Sequence, residues 1–178
     1  MIGRRLGRMT GPEACEVAQG KAEAEREKRT LVAVFASPVA RHLLGYARDV
    51  GYDVVLYEPD AARATDVPDG FDIRTSMPEL DGSADVVVTD HHRPELGPAL
   101  QAALAGHARW IGVLGNPRHP GPHVAALKTL GVHDADIARV HRPVGLNIGS
   151  RTPPEIAIAT IAGLIADRTG RPGGFAFP

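Results

Sequence analysis

Four short apolar runs, each dominated by β-branched residues and separated by helical patterns, constrain this chain more than any other feature. They are residues 31–36 (LVAVFA), 52–58 (YDVVLYE), 84–90 (ADVVVTD) and 109–115 (RWIGVLG). Runs of this length with little polar alternation suit strands buried on both faces of a parallel sheet. Between them, residues 38–51 (PVARHLLGYARDVG) place Val39, Leu43, Leu44 and Ala47 on one helical face and stop at Gly51. The segments PELGPALQAALAG and PHVAALKTLG also close on glycines, which suit the position just past a helix end. Strand and helix therefore alternate at βαβ spacing, which predicts an α/β fold built on an open, doubly wound, mostly parallel sheet with right-handed crossovers. No internal repeat is apparent.

Composition bounds the rest. A chain of 178 residues that is 43% hydrophobic and 23% charged fits one globular domain with a single well-formed core. With 20 basic and 21 acidic side chains, it carries no electrostatic footprint for nucleic acid or an anionic membrane. No segment approaches the roughly 20 apolar residues of a membrane span, and Arg4, Arg5 and Arg8 are not followed by an apolar run of signal-peptide length. The single cysteine, Cys15, can neither close an intrachain disulfide nor complete a thiolate metal site. A reducing, cytoplasmic setting is expected. Residues 1–30 read as a polar arm, helical or disordered, with Thr10 and Glu13 spaced as a capping box. Such a helix has almost no apolar face, so it is either a solvated tail or an arm that packs on a partner subunit.

In a doubly wound sheet, ligands bind beyond the carboxyl ends of the strands, near the point where strand order reverses. The turn after the first run, where a dinucleotide site shows G-x-G-x-x-G, reads Phe35-Ala36-Ser37-Pro38-Val39-Ala40. Side chains fill all three glycine positions, and Pro38 has no N–H to offer an anion. Ser37 remains a good N-cap with proline at N1, so the helix is expected while the phosphate cradle is impaired. Glu58 ends the second run, where an acid would hold ribose hydroxyls; a solvated carboxylate is the alternative. The third run ends in Thr89-Asp90-His91-His92, a carboxylate and two imidazoles able to serve as acid, base or ligand, or simply as loop and capping residues. After the fourth run, Gly115-Asn116-Pro117-Arg118-His119 supplies an arginine suited either to an anion or to solvent. His119 and His123 are four apart, but Pro120, Gly121 and Pro122 intervene, so helical metal-ligand spacing does not apply and no metal site is expected.

Near the end, RPVGLNIGSRTPPEIA leads into an apolar periodic run. Thr152 reads as N-cap, Pro153 as N1 and Glu155 as N3 of a capping box, with Ile156, Ile158, Ile161, Leu164 and Ile165 as the buried face. Asn147, Gly149 and Ser150 precede that helix start, whose partial positive charge suits an anion. Chain physics leaves this loop open between a structural closure of the sheet and a ligand site.

The same segment, HRPVGLNIGSRTPPEIAIATIAGLIADRTG, resembles the end of the C-terminal Rossmann domain of XdhC/CoxI-type proteins, where P-[VI]-G-L-D-I-G-A-x-T-P-E-E-I-A precedes a final helix. The likeness runs back through ARWIGVLGNPRHPGPHVAALKTLGV and ADVVVTDHH to LVAVFASPVARHLLGYARDVGYDVVLYE, roughly residues 31 to 170. It implies a Rossmann-like three-layer sandwich over residues 31–178 and an accessory role in maturing molybdenum hydroxylases of the xanthine or carbon monoxide dehydrogenase type. Their subunits become the expected partners and molybdenum cofactor the candidate ligand. The cofactor-binding positions expected at the carboxyl edge are Ser37, Glu58, Thr89, Asp90, His91, Gly115, Asn116, Arg118, Asn147, Gly149 and Ser150.

Departures from the family pattern sharpen the expectation. The family's G-A-G-H-[VI]-G turn is Phe35 to Ala40 here, its T-H-D order is Thr89-Asp90-His91, and Asn147 replaces an aspartate. The family's N-terminal domain, with its cofactor-handling cysteine, has no counterpart in this sequence, and Cys15 lies in no matching motif. A non-catalytic accessory module is therefore expected, with NAD(P) bound weakly or not at all and self-association as a homodimer. The alternatives are an NAD(P)-dependent oxidoreductase, and a Rossmann module that keeps the fold and engages partners without a ligand.

Overall fold

Along the first strand, Leu31 and Ala33 face one side of a sheet while Val32 and Val34 face the other, and all four are fully buried. A strand packed on both faces must lie at the centre of a layered α/β structure. A computed structural model shows that arrangement; it describes residues 16, 17, 19, 28–68, 70–116, 118 and 121–174. Thr10, Glu13, Cys15 and His119 lie outside the described residues.

The elements are β1 (Thr30–Val34), α1 (Pro38–Asp49), β2 (Asp53–Tyr57), a 3-10 turn (Ala61–Asp66), β3 (Asp72–Arg74), β4 (Ala84–Val88), α2 (Leu96–Ala105), β5 (Trp110–Val113), α3 (Pro122–Thr129), α4 (Asp134–Ile137), β6 (Val140–His141) and α5 (Pro153–Thr169). The six strands form one sheet in the order β3-β2-β1-β4-β5-β6, every neighbouring pair parallel. This is the doubly wound Rossmann order, and strand order reverses between β1 and β4.

Two apolar layers flank the sheet. One packs Val32, Val34, Val86, Val88 and Ile111 beneath Leu100 of α2, Leu127 of α3 and Ile137 of α4. The other packs Leu31, Ala33, Leu56 and Val87 beneath Leu43 and Leu44 of α1 and Ile161 and Leu164 of α5. The expected face of α1 is observed with Ala40 beside Leu43, Leu44 and Ala47 as its buried residues, Val39 packing at the margin. Helix ends follow the glycine reading at Gly51 and Gly131, both with positive φ, and Gly170 closes α5 in the same way. Gly106 differs: it caps α2 in an extended conformation, φ −77°, and a β-carbon there would press on Leu80. In α5, Ile158 is half exposed, because the helix turns Ala157, Ile161 and Leu164 inward instead.

Candidate functional site

At the reversal point, the chain leaves β1 through Phe35, a non-glycine residue at φ 72° and fully buried. The left-handed region costs an ordinary side chain roughly 1–2 kcal/mol, which the surrounding packing holds in place. The turn that follows is closed by side chains. Ala36 N–H donates to Glu58 Oε2 at 2.8 Å, and Ala40 N–H donates to Ser37 Oγ at 3.0 Å. The Ser37 hydroxyl donates to Thr89 Oγ1 at 2.9 Å, and the Thr89 hydroxyl donates back to the Phe35 carbonyl at 2.8 Å. Pro38 lacks an N–H, and the Ala36 and Ala40 N–H groups, which a pyrophosphate could otherwise use at this turn, are taken internally. Ser37 and Thr89 thus join β1 to β4 across the switch point.

Glu58 sits fully buried beneath that turn. Arg93, 6% exposed at its side chain, meets it through two hydrogen bonds of 2.9 and 3.0 Å, and Asp60 N–H adds a contact of 3.1 Å. Burial alone would push the Glu58 carboxyl up, but the Arg93 hydrogen bonds and the Ala36 and Asp60 N–H groups together hold it below the usual carboxylate range. Both oxygens are thereby engaged by protein donors. The Arg93 guanidinium also lies 4.7 Å from the centre of the Phe35 ring, in cation–π range. Arg93 was not singled out from the sequence: an arginine in HHRPE carries no pattern, and only the fold brings it under β2.

Beyond β4 the next residues turn toward β5 and β6. Asp90 Oδ1 accepts from His92 N–H at 3.0 Å, and the His91 ring lies beside the Leu114 backbone. Burial, then the neighbouring His92, holds the His91 imidazole below its ordinary value. Arg142, just past β6, donates from Nη2 to the Asn116 carbonyl at 3.0 Å and crosses directly over Gly115, where a β-carbon would lie 2.5 Å from that nitrogen. Gly115 is therefore a passage for Arg142. Arg118 is exposed, its N–H donating to Asn116 Oδ1 at 2.9 Å. His123, in the first turn of α3, is 6% exposed, and burial and Arg142 both push its imidazole down. Neither Arg142 nor His123 entered the sequence-derived site.

The glycine-rich loop runs back along α5. Gly145, at φ 88°, lies against the Ala159 backbone with no room for a β-carbon, and Leu146 N–H donates to the Ala159 carbonyl at 3.0 Å. Asn147, Gly149 and Ser150 then lead to the start of α5, where Glu155 accepts from the N–H groups of Arg151 and Thr152 at 2.9 and 3.0 Å. The capping reading of Thr152, Pro153 and Glu155 is met. Among the described hydrogen bonds, none joins Asn147, Gly149 or Ser150 to Ser37, Thr89, Asp90 or Gly115. Gly149 itself, at φ 73°, faces open space.

A concavity of about 250 Å³ lies elsewhere, between the start of β5, the end of β6 and the last turns of α5. Trp110 and His141 stack across it at 4.9 Å, while Asp167 on its wall is paired with Arg109 at 2.7 Å. It lies away from the strand-order reversal and gathers no convergent set of titratable groups, so the carboxyl edge is the better candidate. Among the described residues, no three His, Cys, Asp or Glu side chains are grouped to hold a metal ion, and no helix is long and apolar enough to cross a membrane.

Residues 31–164 match the family model described as the XdhC Rossmann domain. The chain is 29% identical over 154 residues to YqeB, an uncharacterized protein of Escherichia coli (strain K12), an alignment spanning 81% of this chain and 28% of the relative. It is also similar to a solved structure described as a xanthine dehydrogenase from Bacillus halodurans, with a TM-score of 0.65 and 25% identity over 84% of this chain and 45% of that one. The chain thus spans under a third of the one and under half of the other.

Proposed function

This chain belongs to the XdhC Rossmann-domain family, and from that premise we propose that it is an accessory factor in the maturation of a molybdenum hydroxylase of the xanthine or carbon monoxide dehydrogenase type. The observation that carries the reading is the family match over residues 31–164, which covers both the reversal point of the sheet and the capped entrance to α5. The proposed partners are the subunits of that hydroxylase, and the proposed ligand is its molybdenum cofactor.

The donor set at the carboxyl edge suits such a group. The His91 imidazole, the Asn116 amide and the Arg142 guanidinium lie just past the ends of β4, β5 and β6, while the buried acid of the site, Glu58, is sealed by Arg93. A small ligand with one anionic end fits this chemistry better than a dinucleotide, whose pyrophosphate would need the N–H groups that Glu58 and Ser37 occupy. Ser37, Thr89, Asp90 and His91 would form one wall, with Gly115, Asn116 and Arg118 opposite and Asn147, Gly149 and Ser150 closing from the α5 side. When bound, the cofactor supplies the molybdenum centre that the hydroxylase uses. The chain's own residues bind it, orient it and limit its exposure to water. The chemistry of the hydroxylase is not assigned to this chain.

The test is to produce a molybdenum hydroxylase with and without this chain and measure molybdenum per hydroxylase together with hydroxylase turnover. Several-fold lower loading without the chain is expected; equal loading would overturn the reading. Arg118→Ala and Gly149→Val, made separately, localise the effect. If neither changes loading while the fold is kept, the loop and turn are structural.

A further inference from the structure

We propose that residues 175–178, FAFP, fold back across the concavity between β5, β6 and α5 and seat a phenylalanine ring against Trp110. This apolar strap is independent of the accessory role proposed above.

The concavity is the first observation. It holds about 250 Å³ and is walled chiefly by Trp110, Pro143, Val144, Leu146, Leu164 and Pro172. Trp110 and His141 stack there with ring centroids 4.9 Å apart and planes within 7° of parallel. The polar groups on the same wall have partners of their own. Asp167 is paired with Arg109 at 2.7 Å, and the Thr160 hydroxyl donates to the Ile156 carbonyl at 2.8 Å. What the wall offers an occupant is therefore aromatic and apolar surface, which suits a hydrocarbon ring better than a charged ligand.

The path of the chain after α5 is the second, independent observation. At Gly170, φ 65°, the backbone turns back on the helix, and Arg171 N–H donates to the Ala166 carbonyl at 2.8 Å. Arg171 and Pro172 then line the concavity themselves. Gly173, at φ 76°, runs so close to Leu146 that a β-carbon would lie 2.9 Å from its Cδ2, and Leu146 is another wall residue. Gly174 follows at φ 93°. The chain is thus delivered along the rim, one residue short of Phe175.

The composition of the next four residues matches the wall. Phe175 and Phe177 are two of the four phenylalanines in the sequence, and the segment carries no charge. Four extended residues reach about 13 Å, and residues two apart share one side, so both rings can address the same surface. Because the segment is tethered at the rim, its local concentration there is far above that of any free competitor. That tether favours this chain's own segment over one from a second copy.

Trp110 is the only tryptophan, so its fluorescence reports on the concavity alone. In the full chain, acrylamide quenching should rise about twofold in Phe175→Ala/Phe177→Ala, as the indole loses its cover, with an unchanged circular dichroism spectrum. In the unaltered protein, NMR should show nuclear Overhauser contacts between the Trp110 indole and a phenylalanine ring whose signals vanish in Phe175→Ala or Phe177→Ala. Equal quenching in the two proteins, or absence of those contacts, overturns the strap. Dilution by about a hundredfold separates the two sources of the ring. Quenching that stays constant assigns the ring to the same chain, whereas quenching that rises on dilution assigns it to a second copy and overturns the intramolecular reading.

Discussion

The carboxylate of Glu58 and the guanidinium of Arg93 face each other through two hydrogen bonds of 2.9 and 3.0 Å with almost no access to solvent. The pair locks the end of β2 to the segment after β4 and supports the first turn through Ala36. Removing one partner strands a buried charge, so Arg93→Ala should lower stability by about 3–5 kcal/mol in urea unfolding, whereas Glu58→Gln with Arg93→Met should recover most of it. Because the folded Glu58 carboxyl is depressed, its contribution is present above the unfolded carboxylate value of about 4.3 and is lost as pH falls through the lower folded value. Acid unfolding of Glu58→Gln should therefore be shallower; an unchanged pH profile would contradict the assignment.

Phe35 invites an unusual comparison. Alanine and glycine at this position both delete the buried ring and should each cost about 3–5 kcal/mol. Glycine, however, adopts φ 72° freely, while alanine retains the strain. Phe35→Gly is expected to be about 1 kcal/mol more stable than Phe35→Ala, the reverse of the usual order. Denaturant midpoints for the two variants decide it, and the ordinary order would mean that the turn relaxes.

The occupied first turn sets the affinity for dinucleotides. NAD(H) and NADPH are expected to bind with millimolar Kd, about 4 kcal/mol of binding or less. Micromolar affinity by titration calorimetry would show that the turn rearranges to admit a pyrophosphate.

Two glycines in one loop should behave differently. At Gly145 a β-carbon would lie 2.9 Å from the Ala159 backbone, so Gly145→Val should prevent the loop from seating on α5 and lower Tm sharply. At Gly149 there is open space, and Gly149→Val should cost only the left-handed strain of about 1–2 kcal/mol. Equal losses in thermal unfolding would place both glycines in the same packing role.

At the opposite edge of the sheet, the Tyr52 hydroxyl donates to Asp85 at 3.0 Å and accepts from Arg168 at 3.1 Å, tying β4 to the end of α5. Burial, reinforced by Asp85, pushes this phenol up to about 12. The unfolded chain releases the proton near 10, so stability should fall as pH rises from about 10 to 12. Tyr52→Phe should flatten that decline, and an unaltered alkaline slope would assign it to other groups.

The sequence by itself determined the layered fold and the helix caps. The four central strands are continuous apolar runs because both faces are covered, and Ser37, Thr152 and Glu155 act within one helical turn of their own backbone. Strands β3 and β6 were illegible, since a three-residue exposed strand and a two-residue one carry no periodicity; only a neighbour already in place gives them partners. The site divided in the same way. Residues attached to strand ends, from Ser37 to Asn116, could be named because topology puts strand ends at the ligand edge. Arg93, His123 and Arg142 could not, because each acquires its role from a residue 22 or more positions away or from burial that no local pattern announces: Arg93 lies 35 positions from Glu58 and Arg142 lies 26 from Asn116. Tertiary structure alone decided that Glu58 is sealed in an ion pair and that an imidazole nitrogen is left buried without a partner at the start of α3.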